Sequence, residues 1–313
     1  MEKAAMLIKT VIGKDLSKYS LPVFLNEPTT ILQKCAEGMM FADYLIDAAE
    51  EPDVCKRMAL VATFIAATQW VALNRTSKPF ISLLGETYEL ITDKFKFVGE
   101  CVRTAPCTLA FKTKGDKFEL YKTCLTKMEF TGTQVNVQDS YEVNINLTLQ
   151  DGSTEKYVYN FPKMTVGNLM IGTRYIEPSG RVHIENKTAK IECDLDFSER
   201  SWTSDYYTNR LEAVIRDKDF NDRITLQGYY STYIEAKDLK DNSTWIAFRA
   251  PPPLDKAEDN FYMNAVAMQL NMMSDAMRES LPPTDSRLRR DMQLWEEDRL
   301  DEAENEKVRI EGI

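Results

Sequence analysis

The residues that could catalyse a reaction are few and widely separated along the chain. His183 is the single histidine among 313 residues, which leaves no histidine pair for a metal ion or for acid–base chemistry. Cys101 and Cys107 are conceivable nucleophiles, but His183 lies far along the chain in a segment typical of an ordinary strand. The sequence contains no Cys-x-x-Cys pair, no Gly-x-Ser-x-Gly and no glycine-rich phosphate loop. We therefore expect no enzyme, no metal and no cofactor.

The charge balance argues against one class of partner. Lysine and arginine total 39 and aspartate and glutamate 49, so the net charge is −10. We expect no nucleic-acid partner, because such binding depends on cations that neutralise phosphates. The same acidity predicts weak electrostatic attachment to anionic membranes, unless four N-terminal lysines gather on one surface: Lys3, Lys9, Lys14 and Lys18.

Membrane-spanning and secreted proteins are also disfavoured. The longest apolar stretch, Met58–Leu73, is shorter than the roughly 20 residues that span a bilayer and indicates a buried helix. No secretory signal peptide is visible, and six sparsely spaced cysteines indicate reduced thiols rather than a disulfide framework. These features predict a cytoplasmic protein.

The N-terminal segment predicts an amphipathic helix. Within residues 3–12 the apolar residues recur at helical spacing, and Gly13 can end the helix. Its apolar face contains Leu7, Ile8, Val11 and Ile12. One interpretation is a helix docked on its own core, and the other is a helix that moves or touches a membrane. A lid would satisfy both.

The elements after this helix change from helical to extended. Residues 29–50 and 54–74 show two helical patterns. From Thr87 to Ala250 the chain has short alternating runs separated by turn signals, typical of an antiparallel meander or barrel. The turn signals are Lys114-Gly115-Asp116, Asp151-Gly152-Ser153 and Pro178-Ser179-Gly180. A large barrel of this kind can enclose a ligand.

The C-terminal region returns to helical patterns. Residues 256–278 are rich in methionine and predict a helix packed in the core. The charged tail 291–313 predicts a helix with a solvated face. The four tryptophans are expected to be packing residues: Trp70, Trp202, Trp245 and Trp295.

One segment carries a specific resemblance. Residues 78–89, Lys-Pro-Phe-Ile-Ser-Leu-Leu-Gly-Glu-Thr-Tyr-Glu, resemble the K-P-F-N-P-L-L-G-E-T-[FY]-E pattern of the lipid-binding domain of the oxysterol-binding protein family. Further segments that resemble this family bring the likeness to essentially the whole chain: residues 12–28, 168–172, 285–291 and 300–307.

The resemblance implies a fold and an activity. The fold would be a β-rich α+β domain, a large incomplete antiparallel β-barrel that encloses a lipid tunnel, with an N-terminal helical lid and a helical C-terminal segment. A single domain 1–313 would comprise the lid and its exit (1–28), helices (29–77), the barrel (78–250) and the C-terminal segment (251–313). The activity would be carriage of one lipid at a time between membranes, a sterol or another lipid, with transient contact to the membrane surface.

The lipid-headgroup signature of the family is altered in this chain. Lys78 matches a phosphate-contacting lysine, but the family's following asparagine is Ile81 here. The pattern E-Q-V-S-H-H-P-P falls on residues 100–107, where the two histidines become Thr104 and Ala105. In the tail, Lys307 and Glu311 match two further headgroup residues, four apart on one helix face, and the family's next arginine would fall after Ile313.

These substitutions leave phosphatidylinositol 4-phosphate binding open. Arg103 could supply a compensating cation, but strand alternation would place it on the opposite face from Thr104. The leading hypothesis is a transfer protein that carries sterol, with or without exchange for phosphatidylinositol 4-phosphate. The alternative is a sensor or binding module for sterol or phospholipid that does not exchange its ligand. In the 78–89 motif, Gly85 is expected to supply a backbone conformation and Glu86 to bond within the barrel.

Overall fold

One large antiparallel sheet organises the described residues, which are 22–104, 106–169 and 171–312 of a computed structural model. The lid residues Leu7, Ile8, Val11 and Ile12, and Ala105 of the headgroup signature, lie outside this described part. The strands are β1 (Asn26–Thr30), β2 (Lys78–Phe80), β3 (Thr87–Ile91), β4 (Phe95–Thr104), β5 (Cys107–Gly115), β6 (Phe118–Phe130), β7 (Val135–Asp139), β8 (Glu142–Thr148), β9 (Thr154–Asn160), β10 (Lys163–Gly167), β11 (Tyr175–Asn186), β12 (Ile191–Phe197), β13 (Arg210–Arg216), β14 (Asp222–Tyr229), β15 (Tyr233–Asp238) and β16 (Thr244–Arg249).

The sheet is an open antiparallel meander with one branch. Its main path runs from β16 through β15, β14, β13, β12, β11, β10, β7, β6, β5 and β4 to β3, while β8 and β9 bridge β6 and β11 beside it. Strands β3 and β16 are edges, so the barrel is incomplete, as the resemblance implied. A separate parallel pair joins β1 to β2.

Alternation along the strands builds the barrel interior. In β12, Ile191, Cys193, Leu195 and Phe197 are buried, whereas the residues between them are only half-buried. This period of two gives each strand an apolar inner face and a polar outer face.

Six α-helices of the described residues fill or flank the sheet: α1 (Ile31–Glu37), α2 (Asp43–Glu50), α3 (Val54–Thr68), α4 (Asp275–Ser280), α5 (Arg290–Glu296) and α6 (Leu300–Glu311). The Thr30 hydroxyl and the Gln33 side chain form a reciprocal capping box that starts α1. Asp53 caps α3 by accepting from the amides of Cys55 and Lys56. Helix α3 packs on the inner face of β12, β13, β14 and β16 and is almost wholly buried, as its apolar stretch predicted.

The two ends of the sheet differ in what they carry. At one end, β4 meets β5 across Thr104–Cys107, and a hairpin turn at 131–134 joins β6 to β7. The loop after β10 and the start of β13 lie at the same end. We call this the mouth end, because Lys78 lines a cavity with Cys107 there. The opposite end holds the β13–β14 turn at 217–221.

Two sequence-based expectations fail for reasons of backbone conformation. Residues 256–278 form only two short 3₁₀ turns and helix α4, because Lys256, Phe261 and Tyr262 have positive φ angles that interrupt a helix. Pro178-Ser179-Gly180 is not a turn but the middle of β11. Gly180, with a φ of +86°, lies where the pairing of β11 changes. The residues of β11 before Gly180 pair with β10, and those from Gly180 onward pair with β12.

The four tryptophans differ in how they are packed. Trp70 and Trp245 pack against the main core and Trp295 against a smaller one, as expected. Trp202 was wrongly predicted to pack, since its side chain is 94% exposed. Among the described helices, none is both long and apolar enough to cross a bilayer.

Candidate functional site

Lys78 is held at the mouth end by the parallel strand pair. Asn26 of β1 pairs with Lys78 of β2, and its side-chain amide donates to the carbonyls of Lys78 and Pro79, each at 3.1 Å. The Asn26 carbonyl oxygen accepts from Nζ of Lys307 at 3.5 Å. One buried asparagine therefore bonds both lysine-bearing segments. The analysis of the sequence did not single out Asn26, although it lies within the resembling segment 12–28.

Lys307 reaches the site because the C-terminal helices dock on a second small core. That core consists of Val23, Phe80, Met292, Leu294 and Ala303. The indole of Trp295 donates to the Val23 carbonyl at 3.1 Å, which fixes the junction between α5 and the segment before β1. As a result Lys307 is only 2% exposed.

The two lysines repel one another in a desolvated setting. Burial first and then the charge of Lys307 lower the pKa of Lys78 to about 8, against the opposing charge of Glu311. Burial also lowers the pKa of Lys307, against the carboxylates of Glu311, Glu304 and Asp291. A buried lysine pair of this kind is suited to an anionic group, because charged hydrogen bonds are strong in a desolvated setting.

Glu311 lies one turn after Lys307 on α6, as the four-residue spacing predicted. Its Oε1 atom is buried and accepts no hydrogen bond from any side chain or amide in the described residues. An orphaned buried acceptor is costly, so this oxygen is suited to a hydroxyl donor on a ligand.

An apolar cavity adjoins Lys78. Its other lining residues are Ile31, Ile81, Cys107, Leu109, Thr126 and Met128. The volume of this cavity is about 20 Å³. Typical ligand pockets begin at roughly 300 Å³, so this cavity is far smaller.

Thr104 and Arg103 do not follow the strand alternation that we expected. A β-bulge between Cys101 and Arg103 shifts the β4–β5 register, and Val102, Arg103 and Thr104 are all exposed. The Arg103 guanidinium donates from Nε to Thr108 Oγ1 at 3.2 Å. Arg103 and Thr104 are therefore at the mouth end but on the outside of the bulged strand.

In the motif at 78–89, Gly85 and Glu86 have the structural roles that were expected. Gly85 has a φ of +75°, a conformation that favours glycine. Glu86 accepts from the Leu83 amide and the Arg289 guanidinium at 2.8 Å each, and from the Ser286 hydroxyl. The motif therefore fixes the C-terminal segment to the barrel. Ile81, at the family's asparagine position, packs on the core and accepts from Arg289 through its carbonyl.

The candidate nucleophiles are not assembled with the histidine. Cys101 and Cys107 are buried, and the hydrogen bond that the Cys107 thiol donates to Cys101, together with burial, raises the pKa of Cys107 well above its ordinary range. His183 lies on the outer face of β11, half exposed, with its Nδ1 atom 2.9 Å from Asp194 of β12. It therefore occupies the surface strand position that its sequence context indicated.

A larger groove of about 730 Å³ lies where β7 and β8 diverge from β6. Its walls include the outward side chains of Tyr121, Tyr141, Glu142 and Asn144, and it is widely open to solvent. An outer groove that is open to solvent cannot remove a lipid chain from water.

The fold and the site together define a class. An open antiparallel barrel with an apolar interior and a buried lysine pair at its mouth is suited to an amphipathic ligand, which is the architecture of a lipid-binding barrel domain. The family model described as "Oxysterol-binding protein" matches residues 3–312, so the chain belongs to the oxysterol-binding protein family.

Curated relatives agree with this assignment. Oxysterol-binding protein homolog 2 of Saccharomyces cerevisiae is 30% identical over 97% of this chain, and human oxysterol-binding protein-related protein 6 is 32% identical over 98%. This chain spans only 25% and 33% of the lengths of these two relatives.

Solved structures confirm the fold. The Osh1 ORD domain in complex with cholesterol aligns with a TM-score of 0.91 and 26% identity, covering 98% of this chain and 76% of that one. The Osh3 ORD of Saccharomyces cerevisiae in complex with PI(4)P aligns with a TM-score of 0.86 and 26% identity, covering 99% and 82%. The predicted family and the predicted incomplete barrel are therefore confirmed.

Proposed function

We propose that this chain forms one lipid-binding domain, residues 1–313, that extracts a single lipid into its barrel and transfers it between membranes. Sterol is the proposed cargo, and a lipid with a phosphate-bearing headgroup, of the phosphatidylinositol 4-phosphate class, is its exchange partner. The two structural relatives in complex with cholesterol and PI(4)P support this pair of ligands.

The observation that carries the proposal is the convergence of Lys78, Lys307 and Glu311 beside an apolar cavity. The lysines supply charged donors, which contribute roughly 1.5–3 kcal/mol each to an anionic partner, and Glu311 supplies an acceptor for a ring hydroxyl. The barrel supplies apolar surface for the rest of the lipid, at about 25 cal/mol per Å².

The departures from the family's signature lower the number of headgroup donors but leave this pair. Thr104 and Ala105 replace two histidines and Ile81 replaces an asparagine, so the headgroup must depend more heavily on Lys78 and Lys307. We propose the exposed Arg103 as a further cation for headgroup oxygens that project from the mouth. Leu7, Ile8, Val11 and Ile12 are proposed as the lid face that covers the lipid.

The domain is proposed to work in the cytoplasm, at membrane surfaces and without catalysis. All six cysteines are free thiols, which fits a reducing compartment. The buried, protonated Cys107 and the distant His183 support binding rather than chemistry.

The test is extraction and transfer between vesicles. Donor vesicles hold labelled sterol, acceptor vesicles hold phosphatidylinositol 4-phosphate, and the protein is compared with a Lys78→Ala/Lys307→Ala variant. The matched control is Lys96→Ala/Lys237→Ala, which removes the same charge from exposed strand positions.

The expected result is that both lipids are extracted and that the Lys78/Lys307 variant alone loses at least about tenfold in phosphoinositide extraction. If sterol is bound but never delivered to acceptor vesicles, the protein is a sensor and the transfer function is wrong. If neither lipid is extracted, the lipid-binding function itself is wrong.

A further inference from the structure

Two loops at the mouth end carry apolar side chains that contact almost nothing. Trp202, in the loop after β12, is 94% exposed, and Ile171, in the loop before β11, is 87% exposed. Tyr206 and Tyr207 follow in the same loop as Trp202, 52% and 45% exposed. Singly exposed apolar residues are ordinary, but a tryptophan and an isoleucine this exposed in two loops at the same end of the sheet indicate an interaction site.

The Trp202 loop is anchored at its base. Arg200 donates from Nε to Glu177 of β11 at 2.8 Å, and its guanidinium stacks 4.6 Å above the ring of Tyr175. At the other end of the loop, Arg210 stacks 4.3 Å above Tyr206. The loop therefore presents Trp202 outward from a fixed base.

The Ile171 loop connects this region to the lipid cavity. The amide of Leu169 donates to the carbonyl of Thr133, in the β6–β7 hairpin turn. Met128 of the same hairpin lines the cavity beside Lys78. Tyr175, four residues after Ile171, is the ring on which Arg200 stacks. The β6–β7 hairpin and these contacts thus link the cavity to the bases of both loops.

The charges of the two loops cancel. The exposed residues of 168–174 and 198–209 include Arg174 and Arg200 against Glu199 and Asp205, two cations and two anions. A protein with a net charge of −10 gains nothing electrostatically from an anionic surface. Neutral loops tipped by indole, phenol and aliphatic groups instead match the headgroup zone of a bilayer, where such rings concentrate.

We propose that Ile171, Trp202, Tyr206 and Tyr207, here called the aromatic rim, insert into the interfacial zone of a zwitterionic bilayer and hold the mouth end against it. This inference rests on the proposed lipid transfer, which requires the mouth to meet a membrane. Projecting tips separated by polar backbone penetrate between headgroups, whereas a protein partner would need a continuous packed patch.

The test measures docking separately from lipid loading. Vesicles of phosphatidylcholine, some with brominated acyl chains that quench tryptophan, are mixed with the protein, and binding is measured by flotation. The variants are Trp202→Ala/Ile171→Ser and the control Phe220→Ala, which removes a 72% exposed ring from the β13–β14 turn at the opposite end. Sterol loading from cyclodextrin, which needs no membrane, is measured for every variant.

The expected result is bromine quenching of the wild type, salt-insensitive flotation, and an at least about fivefold loss of flotation for the Trp202/Ile171 variant, with sterol loading unchanged. The Phe220 variant should float as the wild type does. Unchanged flotation of the Trp202/Ile171 variant with intact loading overturns the aromatic rim, including the case in which these tips serve a protein partner. Failure of wild-type loading overturns the proposed lipid binding instead.

Discussion

At the scale of single residues, burying the Lys78–Lys307 pair disfavours the charged lysines but places two cationic donors where a ligand could bind. Burial and the nearby charge of Lys307 lower the pKa of Lys78, and burial lowers the pKa of Lys307, so an anionic group beside them would favour their charged forms. Functional sites often keep such destabilising arrangements because they bind.

The lowered pKa of Lys78 predicts a pH dependence of headgroup binding. Lys78 is charged below about pH 8 and loses its proton above it, so affinity for a phosphate-bearing lipid should be highest near pH 6.5 and fall as the pH rises through 8. The expected loss between pH 7 and 9.5 is about tenfold, measured by equilibrium binding of a fluorescent phosphoinositide.

Two controls separate this effect from general changes in the protein. Lys78→Arg keeps its charge over this range and should flatten the profile. Sterol binding carries no charge and should not follow the same curve. A wild-type affinity that stays constant from pH 6.5 to 9.5 would count against a role for Lys78.

The backbone at Gly85 gives a second prediction. A Cβ atom there would meet nothing within 4 Å, so the cost of Gly85→Ala comes from its φ of +75° alone and should be about 1–2 kcal/mol in the free energy of unfolding. Gly38, at φ −57°, has ordinary helical geometry and space for a Cβ atom, so Gly38→Ala should stabilise by about 0.4–1 kcal/mol. Denaturant titrations that give both variants the same sign would contradict this assignment.

At the scale of elements, a buried ion cluster joins β1, α1 and the segment before β2. Arg75 lies between Glu27 and Glu37, all three with fully buried side chains, and Asn264 also donates to Glu37. Burial alone would raise the pKa of Glu27, but Lys34 and Arg75 hold it at about 2. The stability from this carboxylate is therefore present above about pH 4.5 and lost as the pH falls towards 2.

Removing Arg75 should leave Glu37 with only the Asn264 amide as a partner and Glu27 with Lys34 as its one cation among the described residues. Arg75→Met is expected to lower the free energy of unfolding by about 3–5 kcal/mol at pH 7, with a smaller penalty near pH 4, where the carboxylates can take up protons. Arg299→Met breaks only exposed pairs with Glu297 and Glu302 and should leave the free energy of unfolding almost unchanged. Thermal melts at the two pH values would measure both, and equal losses for the two variants would contradict a buried network.

The sequence predicted an element correctly where the hydrophobic periodicity matched the backbone conformation that the segment adopts. Helix α3 and the alternating strands from β3 to β16 follow their hydrophobic patterns closely. The segment 256–278 has helical spacing of its methionines, but three residues with positive φ and the side chain of Asn264, which accepts from the Val266 and Ala267 amides, impose turns. Local turns therefore interrupt this segment, and the helical spacing of the methionines did not reveal them.

At the scale of the whole molecule, the site is assembled from the two ends of the chain. Lys78 and Lys307 are brought together by Asn26 and by the small core around Phe80, contacts that span most of the sequence. The resemblance indicated both lysines, but Asn26 and the exposed Trp202 carried no periodic signal. The β-bulge at Cys101–Arg103, which moves Arg103 and Thr104 outward, was equally invisible in the alternation of residue types.

The central claim is that one barrel holds one lipid, with an anionic headgroup on the Lys78–Lys307 pair. Native mass spectrometry of the protein after incubation with equal amounts of sterol and phosphatidylinositol 4-phosphate tests it most directly. The account predicts two separate one-to-one complexes and no species with both lipids, and it predicts that Lys78→Ala/Lys307→Ala retains only the sterol complex. A protein that carries both lipids at once, or a double variant that keeps the phosphoinositide, would contradict it.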